Sequence, residues 1–497
     1  MAIQTPEDLP PQTAIDEIWE GDLFDRKTEA TQLIAFIESV VGRPVLREDK
    51  SAYTIAVDAK YGEGKTYFLK RLKEQLALNH PVAYVDAWAN DLADEPLTAL
   101  AATLEEALQP FFEEEEVQKS VANFMAKTGR VVKIASGGLL RRGLGLLLTG
   151  MAADELLDGA TEEVGEAVKE AAEKTIDDTV EDLKRTPPGK LMQERVDEFK
   201  EGKAAIQAMK DSLRAVIEAL DGVDHHPPIV IVIDELDRCR PTYAIKLLEE
   251  IKHLFDVPGI VFVFGTHGEQ LGHSVTGTYG AGFDGRSYLR RFIDREYRLK
   301  APEMQKLVAY LCDQQGITNT KFVAPDAKAT GTSRILEMSE VIADYMAVFG
   351  LTARDSFQLI DMMQIAGSLA DPHQAIYLPY FLPLAIGQML GEDEEEFPEP
   401  NNKFGWEYLI FDDWGSNSEM IEPIELAQSI KVATRLNRRE VYKASSEEGA
   451  SYALRIVAEN YPNSGHRFRA GTPHTLPELL RAVGRFNDPR VQGNPVA

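Results

Sequence analysis

The chain has 497 residues, 44% of them hydrophobic and 27% charged, which is typical of a globular protein and excludes a collagen-like, low-complexity or fully disordered chain. Acidic residues outnumber basic ones by 81 to 53, so the formal net charge is −28. This charge repels a phosphate backbone at long range and therefore argues against sequence-independent binding of nucleic acid.

The sequence also predicts a cytoplasmic location. Its two cysteines are too few for a disulfide framework and suit a reducing compartment. Residues 1–12 have neither the basic start nor the apolar run of a secretory signal. The most apolar stretch, residues 134–153, is interrupted by two arginines, and its uncharged remainder is shorter than the ~20 residues that a membrane-spanning helix needs. We therefore expect no transmembrane segment.

Four short apolar runs rich in β-branched residues predict strands, and patterns of helical spacing follow the first and the third of them. Strands that alternate with helices in this way predict a parallel α/β sheet. The predicted strands are residues 53–58, 81–88, 229–234 and 259–266, and the two helices are residues 67–78 and 242–255.

A long insertion with almost no strand signal, at about residues 100–228, separates the second and third strands. Within it, residues 154–184 hold twelve acidic and three basic side chains, and their apolar positions approximate a helical stripe. The pattern predicts a long acidic helix or helical hairpin. It fits a solvated helix face without a specific role, and it also fits a surface for a partner protein or a second copy of the chain.

The strongest chemical signal is a glycine-containing loop between the first predicted strand and its helix. Such a loop turns backbone N–H groups toward a phosphate, while Lys65 can reach the β/γ-phosphates and Thr66 can hold Mg²⁺. Ala59 stands where the pattern G-x-x-x-x-G-K-[ST] has its first glycine, and it can serve there if its φ stays negative or the loop shifts slightly. The residues predicted to bind the nucleotide here are Ala59, Lys60, Tyr61, Gly62, Glu63, Gly64, Lys65, Thr66 and Tyr67.

An acidic pair, Asp234 and Glu235, ends the fully apolar third strand. Both residues are expected at the carboxyl edge of the sheet, where open α/β folds bind ligands. Asp234 is predicted to bind Mg²⁺, and Glu235 to orient or deprotonate the attacking water. Alone, the pair would fit two exposed strand-end acids; beside a phosphate loop, it predicts a site for a nucleotide with its metal.

The acidic pair opens the sequence Asp-Glu-Leu-Asp-Arg-Cys, which runs into a long predicted helix. This block resembles the Walker B strand and the following helix of the KAP family of P-loop NTPases. The resemblance extends over about residues 22–388 and leaves the last hundred or so residues unassigned. Four more segments resemble the family: a strand ending near a tryptophan, the strand after Walker B, the segment that closes the core and a helical-domain motif, at residues 82–88, 259–266, 288–299 and 349–355.

The resemblance implies an α/β fold in which a P-loop NTPase parallel sheet with a large helical insertion is followed by a helical domain and a C-terminal region. It also implies that the chain binds ATP with Mg²⁺ and hydrolyses ATP to ADP and phosphate. Many family members carry transmembrane helices where this chain has its insertion, but the insertion here lacks a credible span. The predicted parts are an N-terminal segment (1–21), the NTPase core (22–300), a helical lid-like domain (301–390) and a linker with a C-terminal region of unknown fold (391–497).

Four arginines are candidates for a finger that neutralises charge in the transition state. A surface or ion-pair role fits each of them as well, and Arg238 could pair with Asp237 or Glu235. The other three candidates are Arg290, Arg291 and Arg295. The residues predicted to be catalytic are Glu235, Lys65, Arg290 and Arg291.

Two predicted nucleotide contacts lie outside the loop. Thr266 ends the fourth strand and could touch the γ-phosphate or the attacking water, although a hydroxyl at the edge of the core fits equally. Arg354, in the helical domain, could act as a sensor that closes over the nucleotide.

Bacterial members of the KAP family are associated with phage exclusion and antiviral defence. The resemblance therefore implies a nucleotide-driven switch or regulatory subunit with protein partners, including other subunits of a defence system. A finger supplied across an interface would make the chain a homo-oligomer. Two other functions stay open: a scaffold stabilised by nucleotide with little or no hydrolysis, and a membrane-associated signalling NTPase that uses residues 139–148 at the membrane surface.

Overall fold

A computed structural model describes most of the chain, and it divides into two compact units, Met1–Ala301 and Pro302–Ala497. The domain boundaries given above stay predictions. The described residues are 12–41, 52–93, 95–136, 188–220, 227–370, 375–392, 396–411, 418–446, 451–459 and 476–484.

The first unit is built on a five-stranded parallel sheet with the strand order β2-β3-β4-β1-β5. The predicted α/β class is thus confirmed, and all four predicted strands are present. The fifth strand escaped the sequence analysis because it is short, polar and at the sheet edge. The strands are β1 (Tyr53–Asp58), β2 (Val82–Asp86), β3 (Ile229–Asp234), β4 (Ile260–Thr266) and β5 (Arg295–Arg298).

The central strands β3 and β4 are buried along their whole length, which explains their continuous apolar sequences. Because successive side chains point to opposite faces of a strand, β3 contributes to two cores. Its isoleucines Ile229, Ile231 and Ile233 join one core, and its valines Val230 and Val232 join the other.

Helices cover both faces of this sheet. The valine face packs on α2 and α3, and the isoleucine face packs on α5 to α8. The helices of the unit are α1 (Gln12–Ile18), α2 (Arg26–Val41), α3 (Lys65–Leu76), α4 (Ala87–Asn90), α5 (Pro96–Leu108), α6 (Glu115–Ser136), α7 (Pro188–Leu220), α8 (Pro241–Leu254), α9 (Gly268–Tyr279) and α10 (Gly285–Leu289).

The described part of the insertion is helical, as expected, and consists of α5, α6 and α7. The acidic segment 154–184 and the apolar residues 139–148 lie outside the described residues. No helix in the described part of the chain is both long and apolar enough to cross a membrane.

The second unit combines helices with two small sheets. A four-stranded antiparallel sheet has the order β11-β10-β7-β8, and β6 pairs with β9. The antiparallel sheet joins strands from both sides of residue 390, and the buried Trp406 of β10 packs on Tyr345 in the core of the unit. The strands are β6 (Phe322–Val323), β7 (Asp326–Ala329), β8 (Ile335–Leu336), β9 (Ile376–Tyr377), β10 (Trp406–Phe411) and β11 (Ser418–Ile421).

Eight helices complete the described part of the second unit. Three of them begin with a capping box, in which the side chain before the helix accepts from a backbone N–H three residues on, and the side chain there accepts from the first residue's N–H. The boxes start at Glu337, Thr352 and Asn437. The helices are α11 (Met304–Gln314), α12 (Met338–Val348), α13 (Ala353–Leu369), α14 (Leu378–Leu390), α15 (Pro423–Thr434), α16 (Arg438–Ser445), α17 (Tyr452–Glu459) and α18 (Leu476–Val483).

Candidate functional site

The glycine-containing loop joins the carboxyl end of β1 to the first turn of α3, as the sequence predicts. Gly62 and Gly64 both have φ of 84°. A Cβ atom on Gly64 would meet no neighbour within 4 Å, so the glycine is needed for its backbone conformation and not for space. This conformation leads directly into α3, whose free N–H groups and dipole favour an anion at its N-terminus. Thr66 lies half-buried in that first turn.

Ala59 occupies the first position of the loop without strain. In the described part of the chain, Asp25 and Glu235 alone combine a positive φ with a side chain, so Ala59 has no need of glycine's freedom. Ala59 is 4% exposed, and its N–H donates to the carbonyl of Thr266 at 3.2 Å. This bond attaches the start of the loop to the end of β4.

Other contacts hold the loop from outside. Glu63 accepts a hydrogen bond from the N–H of Lys60 at 2.8 Å, and the buried Arg26 donates to the carbonyl of Glu63 at 3.0 Å. The ring of Tyr67 packs against Trp19, 6.4 Å away. Arg26 was not predicted, because nothing in its local sequence sets it apart from a surface arginine of α2.

Lys65 is buried and forms an ion pair with Asp237. Its ammonium lies 3.1 and 3.4 Å from the two carboxylate oxygens, and the side chains are 9% and 1% exposed. The side chain of Tyr61 lies beside Asp237, and burial together with the charge of Asp237 raises the pKa of Tyr61. Sequence analysis missed this role of Asp237, although its place in the block after β3 was a usable signal.

Asp234 is fully buried at the end of β3. One of its oxygens accepts from the hydroxyl of Tyr84 at 2.9 Å, and the other accepts from the N–H of Glu235 at 2.8 Å. Tyr84 lies on the neighbouring strand β2, and burial and the charge of Asp234 raise its pKa. Gly265 leaves room for this carboxylate, since a Cβ there would lie 2.6 Å from Asp234 Oδ1. Neither contact was predicted from the sequence.

Glu235 adopts a left-handed conformation with φ of 58°, which is rare for a residue with a side chain and turns the chain sharply after β3. Its carboxylate lies 3.0 Å from the guanidinium of Arg238, which stands 5.6 Å from the ring centroid of the half-exposed Trp88. Burial raises the pKa of Glu235, while the positive charge of Arg238 opposes the shift. Arg238 thus pairs with Glu235, one of the two partners foreseen.

Thr266 ends β4 next to the loop. It is 1% exposed, and its hydroxyl has no hydrogen-bond partner among the described residues. Because buried hydroxyls are normally paired, this one fits a group that receives its partner from a bound molecule.

The other predicted arginines lie elsewhere. Arg290 and Arg291 are exposed after α10, and the neighbouring Phe292 and Asp294 bond to Thr54 near the start of β1. The loop follows the other end of β1, so the structure does not bring these two arginines to the loop of the same chain. A role as fingers therefore requires that they act on the site of a second copy of the chain. Arg295, exposed at the start of β5, is at the same far edge, and Arg354 belongs to the second unit.

A comparison with protein families identifies most of the first unit and the start of the second. A family model described as the KAP family P-loop domain matches residues 27–348. Two solved structures, of Caenorhabditis elegans PCH-2 and of Aeropyrum pernix ORC2 (ADPNP-ADP complexes), share 11% and 12% identity. The matches cover 73% of this chain and 69% of PCH-2, and 94% of this chain and 97% of ORC2. Their TM-scores of 0.28 and 0.26 are too low to carry an argument. No curated protein matches. The family match spans well over half of the chain, which therefore belongs to the KAP family of P-loop NTPases.

Proposed function

We propose that the chain binds ATP with Mg²⁺ at the carboxyl edge of its parallel sheet and hydrolyses ATP to ADP and phosphate. One observation carries the proposal. The phosphate loop, the acidic pair Asp234 and Glu235, and Thr266 follow or end three adjacent strands, β1, β3 and β4, and the Thr266 hydroxyl has no partner within the described part of the chain. A phosphate binder, a metal ligand and a proton acceptor are the groups that phosphoryl transfer to water requires.

In this proposal, Lys65 and backbone N–H groups of the loop and of the first turn of α3 hold the β- and γ-phosphates. The donor set suits Mg²⁺, because a hydroxyl and a carboxylate offer oxygen ligands. Each oxygen of Asp234 accepts one hydrogen bond from the protein, which leaves lone pairs free. Thr66 and Asp234 would hold the ion, which would supply charge neutralisation at the phosphates.

Glu235 is proposed as the base. Its carboxylate takes a proton from the water whose oxygen attacks the γ-phosphorus, as the bond from that phosphorus to the bridging oxygen of ADP breaks. Thr266 contacts the γ-phosphate or the water. Arg290 and Arg291 serve as fingers toward a second copy of the chain, and Arg354 acts as the sensor.

At the level of the cell, we propose that nucleotide occupancy switches a surface recognised by protein partners in a cytoplasmic antiviral defence system. The family membership supports the nucleotide chemistry. The defence role, the homo-oligomer and the partners rest on the resemblance alone.

The test is phosphate release from ATP by the purified chain over a range of protein concentrations. We expect Lys65→Ala to lose nucleotide binding, and Glu235→Gln to keep binding while hydrolysis falls by roughly 10²–10⁴-fold. Lys70→Ala changes an exposed lysine one turn further along α3 and serves as the matched control. Hydrolysis that survives in both site variants would contradict the proposal. A specific rate that rises with protein concentration would support fingers supplied by a second copy.

The scaffold with little or no hydrolysis remains a second candidate because of one observation: both proposed catalytic groups are ion-paired within the chain. Lys65 is bound to Asp237 and Glu235 to Arg238. ATP binding at equilibrium without phosphate release, at any protein concentration, would favour that function over the ATPase.

A further inference from the structure

The turn Leu236–Arg238, directly after the acidic pair, gives Lys65 a counter-ion of its own chain. The ammonium lies 3.1 Å from one oxygen of Asp237 and 3.4 Å from the other, so it faces the whole carboxylate. These two residues are 172 positions apart. Asp237 therefore ties the phosphate loop to the turn that follows β3.

Because both side chains are buried, each charge depends on the other as its partner. The Asp237 side chain is 1% exposed and that of Lys65 is 9% exposed. Neither charge has enough water around it to stand alone, since an unpaired buried charge is strongly unfavourable. A phosphate that takes the ammonium must therefore compete with Asp237 for it.

Asp237 has a second polar neighbour from the same loop, Tyr61. The side chain of Tyr61 lies beside Asp237, and Lys65 Nζ lies 5.8 Å from the Tyr61 ring centroid. When Lys65 turns to a phosphate, the hydroxyl of Tyr61 is in place to keep the carboxylate partly satisfied. The ring of Tyr61 is stacked on His267 at 5.3 Å, which holds it there.

We propose that Asp237 is a resting counter-ion for Lys65, which nucleotide phosphates must replace, so that Asp237 sets the affinity of the loop for nucleotide. This inference rests on the proposed function of the loop. Asp237 acts through Lys65 and is a positioning residue. The ion pair lowers affinity, because the binding-competent state, with Lys65 released, is a minor one in the free chain.

The experiment measures equilibrium binding of ATP to the full chain in Asp237→Asn, which keeps the shape of the side chain and removes its charge. We expect binding to be at least about fivefold tighter than in the unmutated chain, at the low end of usual coupling between sites. Asp237→Glu retains the charge and should restore the original affinity. Asp237→Ser, smaller and neutral, replaces the Asn variant if that variant does not fold.

Two further variants separate this effect from a general change in packing. Glu249→Gln removes another buried carboxylate, which accepts from Tyr288 at 2.8 Å, and should leave affinity unchanged. Combined with Lys65→Met, Asp237→Asn should not restore the binding that the lysine substitution abolishes, since there is no ammonium left to release.

Each outcome of these binding measurements either supports or overturns the proposal. Equal or weaker binding in the neutral Asp237 variants, with ATP bound by the unmutated chain, overturns the resting counter-ion and leaves the proposed function standing. Binding in the neutral variants but not in the unmutated chain strongly supports Asp237 as a resting counter-ion. No binding in either refutes the counter-ion and the proposed function together.

Discussion

The guanidinium of Arg238 lies 3.0 Å from the carboxylate of Glu235, three residues before it in the chain. The Arg238 side chain is 38% exposed, and the Glu235 side chain is 15% exposed. An arginine in this position acts on the proposed base of its own chain. It lowers the pKa of Glu235, against the larger effect of burial, which raises it.

Replacing Arg238 by Gln should therefore shift the pH dependence of hydrolysis and leave its maximum nearly intact. Glu235 works as a base when deprotonated, so the rate falls as pH drops through its pKa. Loss of the positive charge raises that pKa, and the acid limb moves to higher pH. At pH 8 we expect a change of less than about tenfold, against the 10³-fold or greater loss typical of a finger.

This prediction is checked by pH–rate profiles of the two proteins. Arg214→Gln is the matched control, because Arg214 also pairs with an acid three residues away, but on the exposed surface of α7. A 10³-fold loss in the Arg238 variant, at every pH, would instead assign the finger to Arg238.

Tyr84→Phe should weaken metal binding. It removes the hydroxyl that donates to the buried Asp234 at 2.9 Å, and loss of such an outer partner usually lowers metal affinity by about 10–100-fold. We expect the Mg²⁺ concentration for half-maximal hydrolysis to rise by about tenfold, with the rate restored at saturating Mg²⁺. Tyr297→Phe, whose hydroxyl contacts a backbone carbonyl of α2, should behave as the unmutated chain. An unchanged Mg²⁺ requirement in Tyr84→Phe would show that the Tyr84 hydroxyl does not support metal binding by Asp234.

Exchange between glycine and alanine should have little effect at the start of the phosphate loop and a clear cost at its end. Ala59→Gly should change nucleotide affinity by less than about threefold, since Ala59 has no positive φ. Gly64→Ala places a Cβ at φ of 84°, which costs about 1–2 kcal/mol even though the space is open. Denaturant unfolding and ATP titration of both variants check this. Strong tightening in Ala59→Gly would show that the alanine does impair the loop.

Because of the buried Glu250, we expect the free energy of unfolding to depend on pH. Glu250 lies buried on α8 with one oxygen that has no hydrogen-bond partner among the residues that the structure describes, and burial raises its pKa from 4.5 to about 7. The folded state then holds the proton more tightly than the unfolded state. The contribution of this group to the free energy of unfolding is complete below a pH of about 4.5. It falls by roughly 3 kcal/mol in total as the pH rises to about 7.

Glu250→Gln should remove this dependence and make the chain up to roughly 3 kcal/mol more stable than the unmutated protein at pH 8. Unfolding by urea between pH 5 and 8 measures the difference. Glu269→Gln, an exposed glutamate on α9, should leave the slope with pH unchanged. Equal slopes in Glu250→Gln and the unmutated chain would show that Glu250 stays ionised in the fold.

Local patterns predicted the parts of the fold that local physics determines. A continuous β-branched run such as Ile229–Asp234 is stable only with both faces covered, so it predicts a buried parallel strand. The loop before Lys65 was predictable for a similar reason, because Gly62 and Gly64 are needed for backbone conformations that other residues avoid. The short polar β5 carries no such pattern, since its place in the sheet comes from pairing with β1.

By itself, then, the sequence determined the α/β class, the loop and the acidic pair. Only the tertiary structure decided which groups meet: Lys65 with Asp237 across 172 positions, and Tyr84 with Asp234 across 150. It also placed Arg290 at the sheet edge away from the loop. These contacts follow from strand order and register. The pairing of distant segments fixes both, and no short pattern along the chain encodes that pairing.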